Sequence, residues 1–241
     1  MLSTIGAGLA AAGLAYYTYA TFSVGSRAFF PVICRGPAGP GAKVALTFDD
    51  GPTPHGTEPI LRELERLRIP AAFFVIGSNA ARWPGLLRRI DKAGHLIGNH
   101  SFDHARLGVL GSPSYWRDQL ARTDNVVQDQ VGKRPALFRP PMGFKTWRMA
   151  RPLREGGFSV VAWSRRGLDG VATTPQRIVQ RLAMRVQRGD ICVLHDGEEP
   201  GRTRDPATTL ASLEPLAHEV RARGLEFGRL DEVIGVDAYR S

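Results

Sequence analysis

The chain has 241 residues, of which 43% are hydrophobic and 8% aromatic. This composition excludes a mainly disordered protein, and the length is sufficient for one sizeable domain with a buried core. The formal net charge of +9 and the isoelectric point of about 10.2 would suit an anionic partner. However, most of the excess is arginine scattered along helical stretches, without an aromatic and basic nucleic-acid module. We therefore expect a basic solvated surface and no nucleic-acid partner.

The N-terminal segment 1–26 carries no charged side chain. As a helix it is about long enough to cross a ~30 Å hydrocarbon core, although it is rich in Gly, Ala and Thr. No basic region precedes the apolar stretch, which favours an uncleaved membrane anchor over a cleaved signal peptide. The flanking charges Arg27, Arg35 and Lys43 all follow the segment. The positive-inside bias therefore predicts a cytoplasmic position for the rest of the chain.

A Pro/Gly-rich stretch, CRGPAGPGAK, separates this segment from the remainder of the chain. Such a composition is typical of a linker. We therefore divide the chain into the N-terminal anchor or signal-like segment 1–26, a linker at 27–42 and one domain at 43–241.

Within the domain, apolar strand-like runs alternate with amphipathic helical stretches. In chain order the predicted strands are KVALTF, AAFFVI, HLIG, ALF, FSVVAW, DICVLH and LEFGRL. Seven strands separated by helices predict an α/β fold with a parallel sheet closed into a β/α barrel, with a doubly wound open sheet as the alternative. In both architectures, functional groups are expected where the strands end.

Two polar motifs at predicted strand ends contain the residue types of a metal site. Asp49 and Asp50 follow KVALTF and lead into a Gly-Pro turn, which is also an ordinary way to leave a strand. His100 and His104 follow HLIG four residues apart, and on a helical turn this spacing places two imidazoles on one face. Two imidazoles and one carboxylate can hold a zinc-type ion that activates water, and one acid remains to take the proton.

Two further motifs supply a cation and a titratable group. Arg139 in FRPPMG is a suitable partner for a carboxylate that must stay ionised, because its guanidinium keeps its charge and pairs with both oxygens. His195 in ICVLHDG ends the most apolar strand and, beside a metal-activated water, is a candidate general acid. A surface arginine and a core histidine are the alternatives when each motif is taken separately.

In their order and spacing, TFDDGP, HSFDH, FRPPMG and LHD resemble the motifs of the polysaccharide deacetylase family, the NodB-homology carbohydrate esterases of family 4. The resemblance covers residues 43 to 236 and implies a distorted barrel of seven strands with outer helices, here preceded by one N-terminal hydrophobic helix. It implies that Asp49 is the general base and that Asp50, His100 and His104 bind one divalent metal. The metal is usually Zn²⁺, with Co²⁺ or another divalent ion as alternatives.

The resemblance also implies functions for the remaining motif residues. Arg139 would hold Asp49 ionised, Asp169 in WSRRGLDG would orient the catalytic groups, and His195 would protonate the leaving nitrogen. The positions that would contact the substrate or the developing oxyanion are Met142, Pro141 and Leu194.

Three positions depart from the family pattern. Position 142 is Met where an aromatic residue is usual, Gly170 stands where Trp is common, and Arg166 replaces an acid. These departures predict altered walls of the sugar groove with the chemistry retained.

The sequence therefore predicts a metal-dependent hydrolase that removes N-acetyl groups from an amino-sugar polymer or oligomer resembling peptidoglycan or chitin. One alternative is an acetyl or formyl deacylase of a lipid-linked amino sugar, which the N-terminal segment and the basic surface favour. Another is a non-catalytic saccharide-binding domain on the same barrel. The family resemblance predicts an extracytoplasmic catalytic domain, whereas the flanking charges predict a cytoplasmic one.

Overall fold

The computed structural model describes residues 2–201 and 205–240, with side chains from residue 8 onward. The strands are β1 (Ala45–Asp49), β2 (Ala71–Val75), β3 (Leu96–Asn99), β4 (Arg134–Pro135), β5 (Leu137–Phe138), β6 (Ser159–Val160), β7 (Arg165–Arg166), β8 (Ile191–His195) and β9 (Tyr239–Arg240). The helices are α1 (Leu2–Phe22), α2 (Thr57–Leu67), α3 (Gly77–Arg82), α4 (Pro84–Lys92), α5 (Pro113–Val131), α6 (Trp147–Glu155), α7 (Pro175–Ala183), α8 (Ala207–Ala222) and α9 (Leu230–Ile234).

Seven strands form one curved parallel sheet in the order β6-β5-β3-β2-β1-β8-β7. The short strands β4 and β9 form a separate antiparallel pair. The predicted distorted β/α barrel is therefore confirmed. Because both faces of the central strands are covered, all five residues of β1 and of β2 are buried. This explains why these strands read as continuous apolar runs.

One of the seven predicted strands is wrong. In LEFGRL, Phe227 makes only an isolated bridge to Val44, and α9 begins at Leu230. The seventh strand is β7, where Arg165 and Arg166 pair with β8. Its polar sequence contains no apolar run, so only its hydrogen bonds to the edge of β8 reveal it as a strand.

The N-terminal segment is helical, as α1 shows. Among the described residues, however, no helix combines the length and hydropathy needed to cross a membrane. The predicted membrane span is therefore not found. The many Gly, Ala and Thr residues of α1 account for this, because they contribute far less transfer free energy than Leu or Ile.

Residues 31–36, within the predicted linker, make several contacts with the barrel. Ile33 donates its N–H to the Val160 carbonyl at 2.9 Å and accepts the Ala162 N–H at 2.8 Å. Further along, Arg35 forms an ion pair of 2.6 Å with the buried carboxylate of Asp190. This part of the chain therefore runs between the end of β6 and the segment that leads into β8.

Candidate active site

Asp49, the last residue of β1, forms a buried ion pair with Arg139, which follows β5. The Arg139 Nη1 donates to Asp49 Oδ1 at 2.6 Å and to Thr47 Oγ1 at 2.9 Å. Its Nε and Nη2 donate to the carbonyls of Val161 and Ala162 at 3.2 and 3.1 Å. Arg139 is fully buried, so these hydrogen bonds replace the water that its charge has lost. The pairing fixes the direction of the Asp49 carboxylate.

Asp50, His100 and His104 bring three potential ligand atoms together at the end of the same sheet. Asp50 Oδ1 lies 3.5 Å from the Nε2 atom of each histidine. Tetrahedral ligands at ordinary zinc distances are about 3.4 Å apart, so this spacing fits a single divalent cation. Asp50 Oδ1 is also buried without a hydrogen-bond partner among the described residues. Since buried polar atoms normally have a partner, this is consistent with a role as a metal ligand.

The protonation states of these three residues suit a cation. His100 Nδ1 lies 2.7 Å from the Arg139 carbonyl, so this nitrogen carries the proton and Nε2 presents its lone pair. Burial and the neighbouring His100 lower the pKa of His104 to about 4, which keeps its imidazole neutral. Burial opposes ionisation of Asp50, but the surrounding imidazoles of His100, His195 and His104 hold its pKa below the usual range.

The two histidines lie on a loop after β3 and not on a helical turn, so the helical interpretation of their spacing is wrong. Ser101 and His104 adopt left-handed backbone conformations with φ of 66° and 52°, and Asp50 does so with φ of 75°. The Asn99 and Ser101 side chains stabilise the loop by accepting the N–H groups of Ser101 and His104 at 2.9 and 3.2 Å. This unfavourable backbone brings the two imidazoles to one point.

His195, at the end of β8, is paired with Asp169. Its Nδ1 lies 2.8 Å from Asp169 Oδ1, and its backbone N–H donates to Asp169 Oδ2 at 2.9 Å. Thr209 Oγ1 donates to the same Oδ2 at 2.8 Å. Burial opposes protonation of the imidazole, but the Asp169 carboxylate, with smaller contributions from Asp50 and Asp49, raises the pKa of His195 to about 9. His195 is therefore protonated at neutral pH, with Nε2 left to act on a substrate.

One cavity of about 300 Å³ unites Asp49, Asp50, His100, His104 and His195. The other side chains of its wall include Arg106, Met142, Trp163, Arg166, Leu168, Val171, Val193, Glu198 and Glu199.

Three predicted residues occupy different positions relative to this cavity. Met142 lies on its wall, 41% exposed and with a left-handed φ of 58°. Leu194 is fully buried in the core between the sheet and the helices, and its neighbour Val193 lines the cavity. Pro141 is buried beside Met142 and does not line the cavity.

Three residues that shape the site were not predicted from the sequence. Thr47 lies two positions before Asp49 and therefore faces the same side of β1, which is how it reaches Arg139. Trp163, the last residue of the predicted strand FSVVAW, lines the cavity. Asp196 is buried, and its Oδ2 accepts the Thr57 hydroxyl at 2.5 Å. Burial raises the pKa of Asp196 to about 7. Alternation along β1 was a usable signal for Thr47, whereas no local pattern marks the other two.

Comparison with known proteins agrees with this geometry. The sequence profile of the polysaccharide deacetylase family matches residues 37–161. A chitooligosaccharide deacetylase of Bradyrhizobium sp. is 32% identical over 197 residues, which cover 79% of this chain and 90% of that protein. The chain belongs to the polysaccharide deacetylase family. The family predicted from the motifs is therefore confirmed.

Three further relatives match between 78% and 87% of the chain. A peptidoglycan-N-acetylglucosamine deacetylase of Listeria monocytogenes is 31% identical over 87% of this chain, but the chain spans only 43% of that protein's length. The crystal structure of the Bc1960 peptidoglycan N-acetylglucosamine deacetylase superposes with a TM-score of 0.80 at 27% identity, covering 87% of this chain and 95% of that one. A family 4 carbohydrate esterase from Streptomyces lividans, in complex with acetate, superposes with a TM-score of 0.70 at 30% identity, covering 78% and 92%.

Proposed function

We propose that this polysaccharide deacetylase family member is a metal-dependent hydrolase that removes N-acetyl groups from the amino sugars of a polysaccharide or oligosaccharide. The observation that carries the proposal is the meeting in one cavity of three metal-ligand atoms, a buried carboxylate and a histidine paired with Asp169. Relatives named as deacetylases of peptidoglycan and of chitooligosaccharides support this class of substrate. Peptidoglycan lies outside the cytoplasm, and for that substrate we place the active site there.

Asp50, His100 and His104 would hold one divalent cation. We propose zinc, because two neutral imidazoles and one carboxylate are a common catalytic zinc set that leaves a coordination position open. When bound, the cation supplies Lewis-acid polarisation and lowers the pKa of water toward neutrality.

Asp49 is the proposed general base, which takes a proton from the attacking water. Its ion pair with Arg139 at 2.6 Å fixes the direction of the carboxylate. As the acyl carbon becomes tetrahedral, negative charge develops on the carbonyl oxygen. The backbone N–H of Met142, on the cavity wall, is the proposed donor to that oxygen.

His195 is the proposed general acid. Because its Nδ1 is hydrogen-bonded to Asp169, Nε2 delivers the proton to the departing sugar nitrogen as the carbon–nitrogen bond breaks. The products are a free amine and a carboxylic acid. Asp169 acts through His195, since it is 6% exposed and lies behind the imidazole.

Amine release from N-acetylglucosamine oligomers and from peptidoglycan tests this proposal, with the full chain first chelated and then reloaded with Zn²⁺. We expect product only after reloading. Asp49→Asn should bind zinc normally but lose at least ~10³-fold in kcat, whereas His104→Gln should lose zinc binding, measured by calorimetry. The exposed His218 provides a matched control, because His218→Gln leaves the site unchanged. Wild-type protein that binds one zinc and releases no amine from either substrate would refute the proposal.

A further inference from the structure

The loop at residues 140–146 forms one wall of the cavity and has an unfavourable backbone conformation. Met142 has a φ of 58° and Gly143 a φ of 73°. A Cβ atom at Gly143 would lie 2.8 Å from the Trp163 ring, so the loop is pressed closely against that side chain. A non-glycine residue in the left-handed region persists only where the surrounding contacts hold it. The position of the Met142 N–H therefore depends on what holds this loop.

Lys145 supplies the principal polar contacts of the loop. It is 2% exposed, and its ammonium donates to the Ser23, Val24 and Gly143 carbonyls at 2.9, 2.9 and 3.1 Å. All three of its donors are thus used. Its backbone N–H donates to the Thr21 carbonyl at 3.0 Å. Lys145 therefore joins the 140–146 loop to the C-terminal end of α1. The helix dipole favours a positive charge at that end of the helix.

Aromatic packing adds a second contact between the same two segments. The Phe22 ring meets the Phe144 ring edge to face at a centroid distance of 4.8 Å. Ala20 and Thr21 are buried at this junction, whereas Tyr16, earlier in α1, is 62% exposed. Among the α1 side chains that the structure describes, from residue 8 onward, the buried ones are therefore in the last turn.

We infer that Lys145 is a positioning residue, which fastens the last turn of α1 to the 140–146 loop and so holds the Met142 N–H at the cavity wall. This inference rests on the proposed function, because it takes that N–H as the donor to the developing oxyanion. It extends the catalytic unit to residues 20–24, which lie outside the predicted domain at 43–241.

Displacement of the Met142 N–H should affect kcat more than KM, because this group contacts the oxygen most strongly in the transition state. A donor that acts on the developing negative charge stabilises the transition state more than the bound substrate, so its displacement lowers kcat and leaves KM nearly unchanged. Complete loss of one oxyanion donor costs on the order of 10²–10³-fold in kcat. Because the loop in a Lys145 variant would be displaced and not deleted, we expect a loss of roughly 10–100-fold.

Lys145→Met keeps the length of the side chain and removes its three hydrogen bonds. In the full chain loaded with zinc, we expect the 10–100-fold loss in kcat, a KM within about threefold of wild type and one zinc per chain. Lys92→Met, at an exposed lysine of α4, is the matched control and should retain kcat.

A second pair of variants remains informative if Lys145→Met fails to fold. Phe22 is 49% exposed, so Phe22→Ala removes its contact with Phe144 while leaving the core intact. We expect kcat to fall by roughly 2–10-fold without a change in KM. Tyr16→Ala removes another exposed ring of α1 that does not reach the loop, and it should retain kcat.

Hydrogen exchange of a peptide spanning residues 138–146 tests the coupling independently of activity. Exchange in this peptide should rise selectively in Lys145→Met and in Phe22→Ala, and not in Tyr16→Ala. If wild type binds zinc and is inactive while this selective rise occurs, the loop coupling holds and the proposed function fails. If wild type is active and Phe22→Ala keeps both its kcat and its loop exchange, the inference is refuted. A uniform rise in exchange along the whole chain would also refute it, because Lys145 would then serve only overall stability.

Discussion

The substitution Asp169→Asn tests how the general acid is kept protonated. The Asp169 carboxylate accepts the His195 Nδ1 proton at 2.8 Å, the His195 backbone N–H at 2.9 Å and the Thr209 hydroxyl at 2.8 Å. Asparagine has nearly the same size but carries no charge. The variant therefore removes the electrostatic support of the imidazolium while disturbing the packing little.

The expected loss of kcat/KM in Asp169→Asn follows from the pKa of His195. Burial lowers that pKa, whereas Asp169, with smaller contributions from Asp50 and Asp49, raises it to about 9 from the ordinary value of 6.5. The rise corresponds to about 3 kcal/mol, and without Asp169 the pKa should return to about 6.5 or below, because burial alone lowers it. At pH 8 the protonated fraction of His195 then falls from about 90% to about 3%, so kcat/KM should fall roughly 30-fold. At pH 6 the loss should be less than about twofold.

The assay is the pH dependence of kcat/KM for both proteins, loaded with zinc. The positive charge of zinc shifts the His195 pKa of both proteins in the same direction, so the displacement of the alkaline limb between them is the measured quantity. Thr209→Val is the control, because it removes one hydroxyl from Asp169 and retains the charge. If Asp169→Asn lowers kcat/KM by the same factor at every pH, Asp169 does not support protonation of His195.

The same pKa has a consequence for stability. Because the folded-state pKa of His195 lies above the unfolded value, its stabilising contribution is complete below pH 6.5 and is lost as the pH rises through 9. The Asp169→Asn variant should lack this component, and urea unfolding at pH 6 and pH 9.5 measures it in both proteins. An equal decline in the two proteins would contradict the assignment.

Three further substitutions test the buried groups around the site. Arg139→Met leaves the buried Asp49 carboxylate without its partner. The free energy of unfolding, measured in urea, should fall by about 3–5 kcal/mol. A loss below about 1 kcal/mol would contradict the importance of this ion pair. The pKa of Asp196 is raised by burial to about 7, so this carboxyl contributes a loss of stability as the pH rises from 4 to 7. Asp196→Asn should remove that contribution, so its free energy of unfolding in urea should gain on that of the metal-free wild type between pH 4 and pH 7, by up to ~4 kcal/mol at pH 8. A constant difference between the two proteins across this range would contradict the raised pKa. In Gly143→Ala, a residue with a φ of 73° would gain a Cβ atom only 2.8 Å from Trp163. Its melting temperature should fall by more than that of Gly94→Ala, where φ is 80° but the surrounding space is open. Equal losses would contradict the close contact.

Once His195 was assigned to the cavity, the sequence was sufficient to predict which side chains of β8 point toward the cavity and which point away from it. Alternate residues of a strand share a face, so Val193 must point with His195 and Leu194 must point the other way. The prediction of Leu194 as a pocket residue came from the family resemblance and did not use this alternation.

The sequence by itself determined the parallel barrel and the residue types of the site. Buried parallel strands require apolar runs, and catalysis requires particular side chains, so both leave local marks in KVALTF, AAFFVI and the motifs that contain Asp50, His100 and His195. These signals need no knowledge of distant parts of the chain. They were sufficient to identify the family from the sequence alone.

Only the tertiary structure decided how these pieces meet. Arg165 and Arg166 form a strand because their backbone reaches the edge of β8, and His100 and His104 converge through a left-handed loop instead of a helix. Lys145 contacts carbonyls more than 100 residues away in the chain, at the end of α1. Backbone hydrogen bonds and buried charges are satisfied by whatever group lies nearby in space, and a local pattern of residues does not record that partner.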